Sequence, residues 1–231
     1  MDLLLGDHHV HSTFSDDAVS TIGENIAAAH SRGLTTLRLV DHVRASTTWV
    51  PEYLAAVAAE PSLGLRVLTG VETKLLDSAG RLDLPSGLPS LDAILIADHQ
   101  FPGPDRSWTP AETIEKGLAA SDLADLLITA YVNAMARLDN GQLAHPFSIL
   151  PKIGLSEDDL TDEQLHEWAT SAASTGTLIE INEKWGCPGP RAIRAALTAG
   201  ATLVASTDSH QAADVGRYEK VTELLGGVGG S

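Results

Sequence analysis

Short motifs rich in histidine and carboxylate recur along this chain, and their spacing suits metal binding. The first, DHHVHSTFSDD at residues 7–17, contains three histidines and three aspartates. Because side chains alternate across a strand, His9 and His11 would lie on one face and could chelate one ion. Asp208 and His210 repeat the same i, i+2 spacing. A mixture of imidazole and carboxylate ligands suits Zn, Mn or Fe, whereas Ca and Mg prefer sites made of oxygen alone.

The elements that must position these side chains are short apolar runs that alternate with stretches of helical spacing. We predict seven strands, at residues 3–9, 35–41, 65–72, 92–98, 142–145, 177–182 and 202–207. We predict helices at residues 22–31, 51–59, 110–137 (with a break near residue 121), 161–174 and 190–199, and a small hairpin at residues 74–84. Such alternation implies parallel strands joined by right-handed crossovers, in either a barrel or an open sheet.

Polar side chains distinguish these two architectures, because one or two of them lie at the end of each predicted strand. They are His9 and His11, Asp41 and His42, Glu72, Asp98 and His99, His145, Glu180 and Asn182, and Asp208 and His210. The carboxyl ends of all strands in an α/β barrel meet on one rim, whereas an open sheet brings only a few together at its switch point. The set therefore favours an α/β barrel with its site at the C-terminal rim.

Some histidines of the chain have an ordinary structural role. A lone His-x-His is usually incidental, but six histidines and three carboxylates at strand ends are not explained by a solvated surface or a satisfied core. His8 would face away from the site, His30 would complement a helix dipole, and His166 lies on an acidic helix face. Cys187 has no partner pattern that would activate it. The chain contains no P-loop, Gly-x-Ser-x-Gly or Gly-x-Gly-x-x-Gly motif.

Composition limits the class of protein further. We predict one domain at residues 1–225 and a flexible glycine-rich tail at residues 226–231. The single cysteine excludes an intrachain disulfide, the N-terminus lacks signal-peptide features, and no apolar stretch reaches membrane-spanning length, so we expect a cytoplasmic protein. A net charge of −16 argues against a surface for long nucleic acids, although a locally positive site could still bind a small anion. The oligomeric state stays open.

Seven motifs, taken together, resemble those of a known family. DHHVHSTFSD, VDH, GVE, ADH, AHP, EIN and STDSH occur in this order from residue 7 to about residue 210. In order and distance they resemble the polymerase-and-histidinol-phosphatase (PHP) superfamily. The resemblance implies a distorted seven-stranded (β/α)7 barrel, similar to a TIM barrel. It also implies a C-terminal rim with up to three metal ions used for phosphoester hydrolysis.

The resemblance implies nine ligands that share three ion positions: His9, His11, Asp16, His42, Glu72, His99, His145, Asp208 and His210. The first ion would be bound by His9, His11, Glu72 and Asp208. Glu72 would bridge to a second ion, completed by His99 and His145. The third would be bound by Asp16, His42 and His210. Asp17 stands where the family usually has glycine, so Asp16 and Asp17 compete for that role. Asp98, which precedes His99, stands where a small or apolar residue is commoner and could add an outer carboxylate.

The implied chemistry is hydrolysis by a metal-bound hydroxide. Paired metals would lower the pKa of a bridging water and stabilise charge on phosphorus. Two roles stay open for Asp41, namely orienting a ligand or protonating the leaving group. Four basic side chains could bind the remaining ester oxygens, namely Lys184, Arg191, Arg44 and Arg217. Each could equally be a solvated surface residue.

The leading hypothesis is a phosphatase that acts on a small phosphomonoester with two to three divalent ions (Zn, Mn or Fe). One alternative is a nuclease or nucleotide phosphodiesterase, which the acidity and the lack of an aromatic and basic stripe disfavour. The other is a non-catalytic, metal-stabilised interaction module. The expected partner is a small phosphorylated substrate, without long nucleic acid or membrane.

Overall fold

Seven parallel strands form the central sheet of the computed structural model, which describes residues 3–228. In sheet order they are β1 (Gly6–Val10), β2 (Thr36–His42), β3 (Arg66–Lys74), β4 (Ala93–Ala97), β7 (Gly141–Ala144), β8 (Leu178–Asn182) and β9 (Leu203–Ser206). Two further strands, β5 (Phe101–Pro102) and β6 (Ser107–Trp108), pair as a small antiparallel hairpin after β4. Each neighbouring pair in the main sheet is parallel, as the alternating pattern predicts.

The sheet curves into a nearly closed barrel whose ends meet at a seam between β1 and β9. At the seam, His11 N donates a hydrogen bond to Ser209 O at 2.8 Å, and Val10 and Ser209 form an isolated bridge rather than part of a full ladder. The buried Asp7 carboxylate spans it and accepts hydrogen bonds from Thr207 N, Thr207 Oγ1 and Gly216 N at 3.0, 2.6 and 2.9 Å. Burial raises the pKa of Asp7 to about 6, although these hydrogen bonds act in the opposite direction. The predicted barrel is confirmed.

Helices between the strands cover the outside of the barrel. They are α1 (Ile22–Ser31), α2 (Val50–Ala59), α3 (Pro110–Glu115), α4 (Ala120–Met135), α5 (Asp162–Thr175), α6 (Pro190–Ala199) and α7 (Lys220–Val228). Thr21 and Glu24 form a capping box at the start of α1, and Gly200 ends α6 in the left-handed conformation with φ 78°. The outer core includes the fully buried Tyr131 and Trp168. Burying a large apolar side chain contributes about 1.5–3 kcal/mol.

Several predicted boundaries were wrong. Leu3–Leu5 form a 3-10 turn rather than the start of β1. The predicted division of residues 110–137 into two helices is present, but the break lies at residues 116–119 rather than near residue 121. Of the tail predicted at residues 226–231, Gly226 to Val228 form the last turn of α7, and residues 229–231 lie outside the described part of the chain. The hairpin predicted at 74–84 is present, with Leu75 bridged to Leu82. Among residues 3–228, no helix has the length and apolar character that a membrane span requires.

Candidate metal centre

The predicted ligand side chains converge at the carboxyl ends of the barrel strands. Within residues 3–228, three groups have donor atoms that all lie within 4.8 Å of one another. They are His9, His11 and Asp208; Glu72, His99 and His145; and His11, His42 and His210. Eight of the nine predicted ligands thus occur in these groups, and Asp16 does not.

The deepest group lies at the seam, where β1 and the segment after β9 meet. His9 Nε2 and His11 Nε2 are 3.0 Å apart, and His11 Nε2 is 3.2 Å from Asp208 Oδ1. His9 and His11 are fully buried and Asp208 is 5% exposed. Two nitrogens bound to one ion at roughly 2.0–2.1 Å would be separated by about 3 Å, so this spacing fits a shared ion.

Glu72, at the end of β3, stands between two sets of imidazoles. Its Oε2 is 3.5 Å from His9 Nε2 and 3.6 Å from His11 Nε2, whereas its Oε1 is 3.1 Å from His99 Nε2 and 3.0 Å from His145 Nε2. Oε2 is buried and accepts no well-formed hydrogen bond, even though the nearest imidazole nitrogen, His42 Nδ1, is 2.8 Å away. A buried carboxylate oxygen without a well-aligned donor is suited to bind a positively charged partner.

The third group lies nearer the cavity mouth, where His42 and His210 are partly exposed. Asp17 Oδ2 is 3.5 Å from His42 Nε2 and 3.3 Å from His210 Nε2. These two imidazoles hold the pKa of Asp17 below its ordinary value, against its partial burial. Asp16 lines the same cavity but contacts neither ring among the described residues. Of the two carboxylates left open by the sequence, the structure brings Asp17 to the imidazoles.

The pKa values reflect an excess of negative charge. Burial alone would raise the pKa of Glu72, but the neighbouring His99 and His9 hold it well below the ordinary value. Burial opposes protonation of His145, yet hydrogen bonds to Asp98 and Glu72 raise its pKa to about 10. Burial likewise opposes protonation of His9, yet the charges of Glu180 and Glu72 raise its pKa. At His11 burial has the larger effect and lowers the pKa to about 3, although Asp208 and Glu72 act in the opposite direction. The centre therefore attracts positive charge into a buried space, as a divalent cation site must.

Outer carboxylates orient the buried imidazoles. Glu180 Oε1 lies 2.9 Å from His9 Nδ1, and Glu180 Oε2 accepts from the backbone N–H of His145 at 3.0 Å. Asp98 accepts from Tyr131 Oη and Ser148 Oγ at 2.8 and 2.6 Å, and its Oδ1 is 3.4 Å from His145 Nδ1. Each carboxylate faces the ring nitrogen turned away from the cluster, an arrangement that fixes the tautomer and orientation of a metal-binding histidine. Asp98 thus supports His145 rather than its neighbour in sequence, His99.

Asp41 stabilises the irregular loop after β1. It is fully buried and accepts hydrogen bonds from Ser12 N, Ser12 Oγ and Ser15 Oγ at 2.9, 2.6 and 2.6 Å. Ser15 Oγ is in turn 3.3 Å from His11 Nδ1. Burial raises the pKa of Asp41 to about 6 despite these hydrogen bonds. This geometry connects Asp41 to a histidine ligand position and gives it no direct access to a substrate.

Backbone strain is concentrated at the centre. Four non-glycine residues between residues 3 and 228 have positive φ, and two of them are His145 (32°) and Asp208 (53°). Such conformations cost about 1–3 kcal/mol each and persist where the surroundings impose them. The strained conformations therefore occur at two predicted ligands, His145 and Asp208.

Cationic side chains border a cavity of about 310 Å³ that opens over the centre. Arg44 and Lys74 line it, and neither side chain has a hydrogen-bond or ion-pair partner in the described chain. Lys184 Nζ lies 3.5 Å from Asp208 Oδ2. A neighbouring side cavity of about 510 Å³ shares several lining residues with the first and includes Arg217. Arg191 lies elsewhere, with its guanidinium 2.7 Å from Asp162 Oδ1.

Sequence reasoning did not find all of these residues. Lys74 lies two positions after Glu72 on β3, a spacing that places both side chains on one face and could have identified it. Trp185, which also lines the cavity, lies in a loop where no periodic signal exists. His8 belongs to none of the three donor groups, and His30 and His166 are exposed on helices.

The donor set fits the predicted ions. It combines imidazole nitrogens with carboxylate oxygens, contains a buried oxygen without a hydrogen bond, and places paired nitrogens at a distance suited to a shared ion. Nitrogen and oxygen donors of this kind suit Zn, Mn and Fe. The fold and the centre together define a seven-stranded β/α barrel with a site for clustered metal ions on its C-terminal rim.

The chain belongs to the PHP domain family, because the model of that family matches residues 7–184. Asp208 and His210 lie beyond the matched residues and join the centre through the closure of the barrel. A "Probable phosphatase" of Thermoanaerobacter sp. (strain X514) is 27% identical over 242 residues, which cover 99% of this chain and 88% of that protein. Another, of Caldanaerobacter subterraneus subsp. tengcongensis, is 28% identical over 234 residues, which cover 96% and 82%.

A solved structure shares the fold. The histidinol phosphate phosphatase of Lactococcus lactis subsp. lactis Il1403, complexed with zinc, L-histidinol and phosphate, has a TM-score of 0.69 at 15% identity and covers 97% of this chain and 92% of that chain. The predicted family and fold are therefore confirmed. The names of the relatives agree with the predicted enzyme class, a hydrolase of phosphoric esters.

Proposed function

We propose that this protein is a metal-dependent phosphatase that hydrolyses small phosphomonoesters and binds two to three divalent ions (Zn, Mn or Fe). The observation that carries the proposal is the position of Glu72. One of its oxygens faces the buried His9 and His11, and the other faces His99 and His145. A carboxylate shared in this way supports two adjacent ions, the arrangement that two-metal phosphoesterases use.

The ligands divide among three positions. The first ion would be held by His9, His11, Glu72 and Asp208, the second by Glu72, His99 and His145, and the third by His42, His210 and Asp17, in place of Asp16. When bound, such ions activate water and neutralise charge on phosphoryl oxygens. Three divalent ions against the three ligand carboxylates and the two outer ones, Glu180 and Asp98, would leave a local charge of about +1. The cations that line the cavity, Arg44, Lys74 and Lys184, add to this charge, and together they would attract a compact phosphate dianion.

Residues of the chain itself would bind and orient the ester. Arg44, in the loop after β2, and Lys74, at the end of β3, line the cavity without carboxylate partners in the described chain, so their charges are available to phosphoryl oxygens. Lys184 borders both cavities from the opposite side. Glu180 and Asp98 would hold the His9 and His145 rings in place, and Asp41 would orient His11 through Ser15 rather than protonate the leaving group.

The side cavity would accept the alcohol portion of the substrate. Its wall carries three basic and three acidic side chains besides Asp17, Asp208 and His210: Lys184, Arg217, Lys220, Glu183, Asp214 and Glu219. Because these charges balance, the wall suits a polar alcohol without a large net charge. A long nucleic acid would instead have to contact a surface whose net charge is −16.

The experiment is a hydrolysis assay on a panel of phosphomonoesters with Mn or Zn added to chelator-treated protein. We expect activity that a chelator or His9→Ala abolishes, with degradation of single- or double-stranded DNA slower by orders of magnitude. His166→Ala, in an exposed helical position, is the control and should retain full activity. Strong chelator-sensitive nuclease activity without phosphatase activity would overturn the proposal. Metal-loaded protein with neither activity would indicate an interaction module.

A further inference from the structure

Trp185 contacts the candidate centre in a way that neither the sequence motifs nor the ligand assignment accounts for. Its indole Nε1–H donates a hydrogen bond to Asp208 Oδ2 at 2.8 Å. The side chain is 38% exposed and lines the cavity above the centre. The one polar atom of this side chain is therefore hydrogen-bonded to a predicted metal ligand.

The loop that carries Trp185 is held firmly at its base. Asn182, the last residue of β8, accepts a hydrogen bond from Trp185 N through its side-chain Oδ1 at 3.1 Å and from Gly186 N through its carbonyl at 2.9 Å. Its own N–H donates to Cys187 O at 2.7 Å. Gly186 has φ 64°, a conformation that glycine adopts without strain. The backbone of Trp185 is therefore fixed relative to the end of β8.

The indole ring is fixed as well. Lys152 Nζ, from the turn after β7, lies 4.1 Å from the ring centroid, and the His145 ring is 5.7 Å away. A cation over an indole face contributes about 0.5–1 kcal/mol at an exposed position. Contacts to backbone, cation and imidazole thus set the direction of the indole N–H before any ion binds.

The two oxygens of Asp208 have different surroundings because of this contact. Oδ2 receives the indole N–H and lies 3.5 Å from Lys184 Nζ, whereas Oδ1 faces the imidazoles of His11 and His210 at 3.2 and 3.6 Å. A donor on Oδ2 leaves Oδ1 for the ion and prevents the carboxylate from rotating. Tryptophan is suited to this task because it has one donor, no acceptor and no charge, so it cannot compete for the metal.

We infer that Trp185 is a positioning residue that fixes Asp208 for binding to one ion through Oδ1, and that Lys152 supports it by holding the ring. This inference rests on the proposed metal-dependent function. Hydrogen-bonded partners of metal-binding carboxylates typically contribute 10–100-fold to metal affinity, and we expect an effect of that size here.

The test measures zinc affinity directly, by competition with a chromophoric chelator on metal-free full-length protein. Trp185→Phe keeps an aromatic ring and removes the N–H donor. We expect its tightest zinc affinity to fall roughly 10–100-fold, measured on metal-free protein that circular dichroism shows to be folded. Trp108→Phe is the control, because that ring also lies under a lysine, Lys116 at 4.9 Å, and its described contacts, such as that with Phe101, do not reach the centre. It should bind zinc within about twofold of the wild type.

Fluorescence and a second variant give independent readouts. Zinc binding to the wild type should change the emission of Trp185, and this change should persist in Trp108→Phe and disappear in Trp185→Phe. Lys152→Met, which retains the N–H donor, should lower the affinity less than Trp185→Phe does. If Trp185→Phe binds zinc within twofold of the wild type, this inference is wrong and the proposed function is unaffected. Failure of the wild type to bind zinc would overturn the proposed function and this inference with it.

Discussion

Replacing Glu72 with glutamine is a direct test of the proposed centre, because this one side chain serves two ion positions. The substitution keeps the size of the side chain but removes its charge and replaces one acceptor oxygen with an amide nitrogen that does not bind metal. Glu72 is 1% exposed, so no water molecule can readily take over the lost contacts. Both the first and second ions should be affected, whereas loss of an ordinary ligand affects one.

The expected magnitude follows from the contacts. Removing an outer hydrogen-bonding partner typically costs 10–100-fold in metal affinity, so removing a direct bridging ligand should exceed about 100-fold at each of two positions. A 100-fold loss of affinity corresponds to roughly 2.8 kcal/mol of binding free energy per ion. With free metal at about ten times the wild-type Kd, occupancy at each position should fall from roughly 90% to below about 10%.

Elemental analysis after equilibrium dialysis against a fixed free-metal concentration measures this directly. Glu72→Gln should lose more than one ion per chain, and phosphatase activity should fall with it. Glu167→Gln, an exposed substitution of the same type on α5, is the control and should keep its full metal content. If Glu72→Gln retains the wild-type metal content, the bridging assignment is wrong.

Three further outcomes follow from individual contacts. Asp17→Asn should lose the third ion in elemental analysis while Asp16→Asn keeps it, and the reverse result would return that role to Asp16. Lys74→Met should raise KM for a phosphomonoester more than it lowers kcat, because its cation binds the phosphate before and during reaction; a fall in kcat alone would contradict this. Burial raises the pKa of Glu157 above its ordinary value. The folded protein should therefore lose stability as the pH rises from the pKa of this carboxyl in the unfolded chain to its higher pKa in the folded protein. Glu157→Gln should therefore raise Tm near pH 7 and change it little near pH 4, and equal shifts at both pH values would refute that assignment.

Much of the fold could be predicted from the sequence because its signals are local. The capping box at Thr21 and the left-handed Gly200 mark helix ends in the sequence itself, and both helices have the predicted bounds. The β5–β6 hairpin was missed because strands of two residues show no periodicity. Helix α7 was missed because Gly226 and Gly227, both poor helix formers, obscured an apolar stripe that starts at Val221.

The same distinction applies to the centre. Residues at the ends of parallel strands could be placed together, because barrel topology alone makes those ends converge. The choice between Asp16 and Asp17 could not be made, because it depends on how Ser12 and Ser15 bind Asp41 across 29 and 26 residues of sequence. The contact of Trp185 likewise depends on a loop held by tertiary hydrogen bonds. Irregular segments take their direction from distant partners that a local pattern does not reveal.

The seam between β1 and β9 links metal binding to the stability of the folded barrel. His11 lies on one side of this weakly paired join and Asp208 on the other, so an ion held by both would cross-link segments nearly 200 residues apart. A constraint that closes so long a loop removes much of the entropy of the unfolded chain, as a disulfide would. Ions bound at the rim would therefore also stabilise the closed barrel. A molecule whose first and last strands had separated would lose its activity and its metal together.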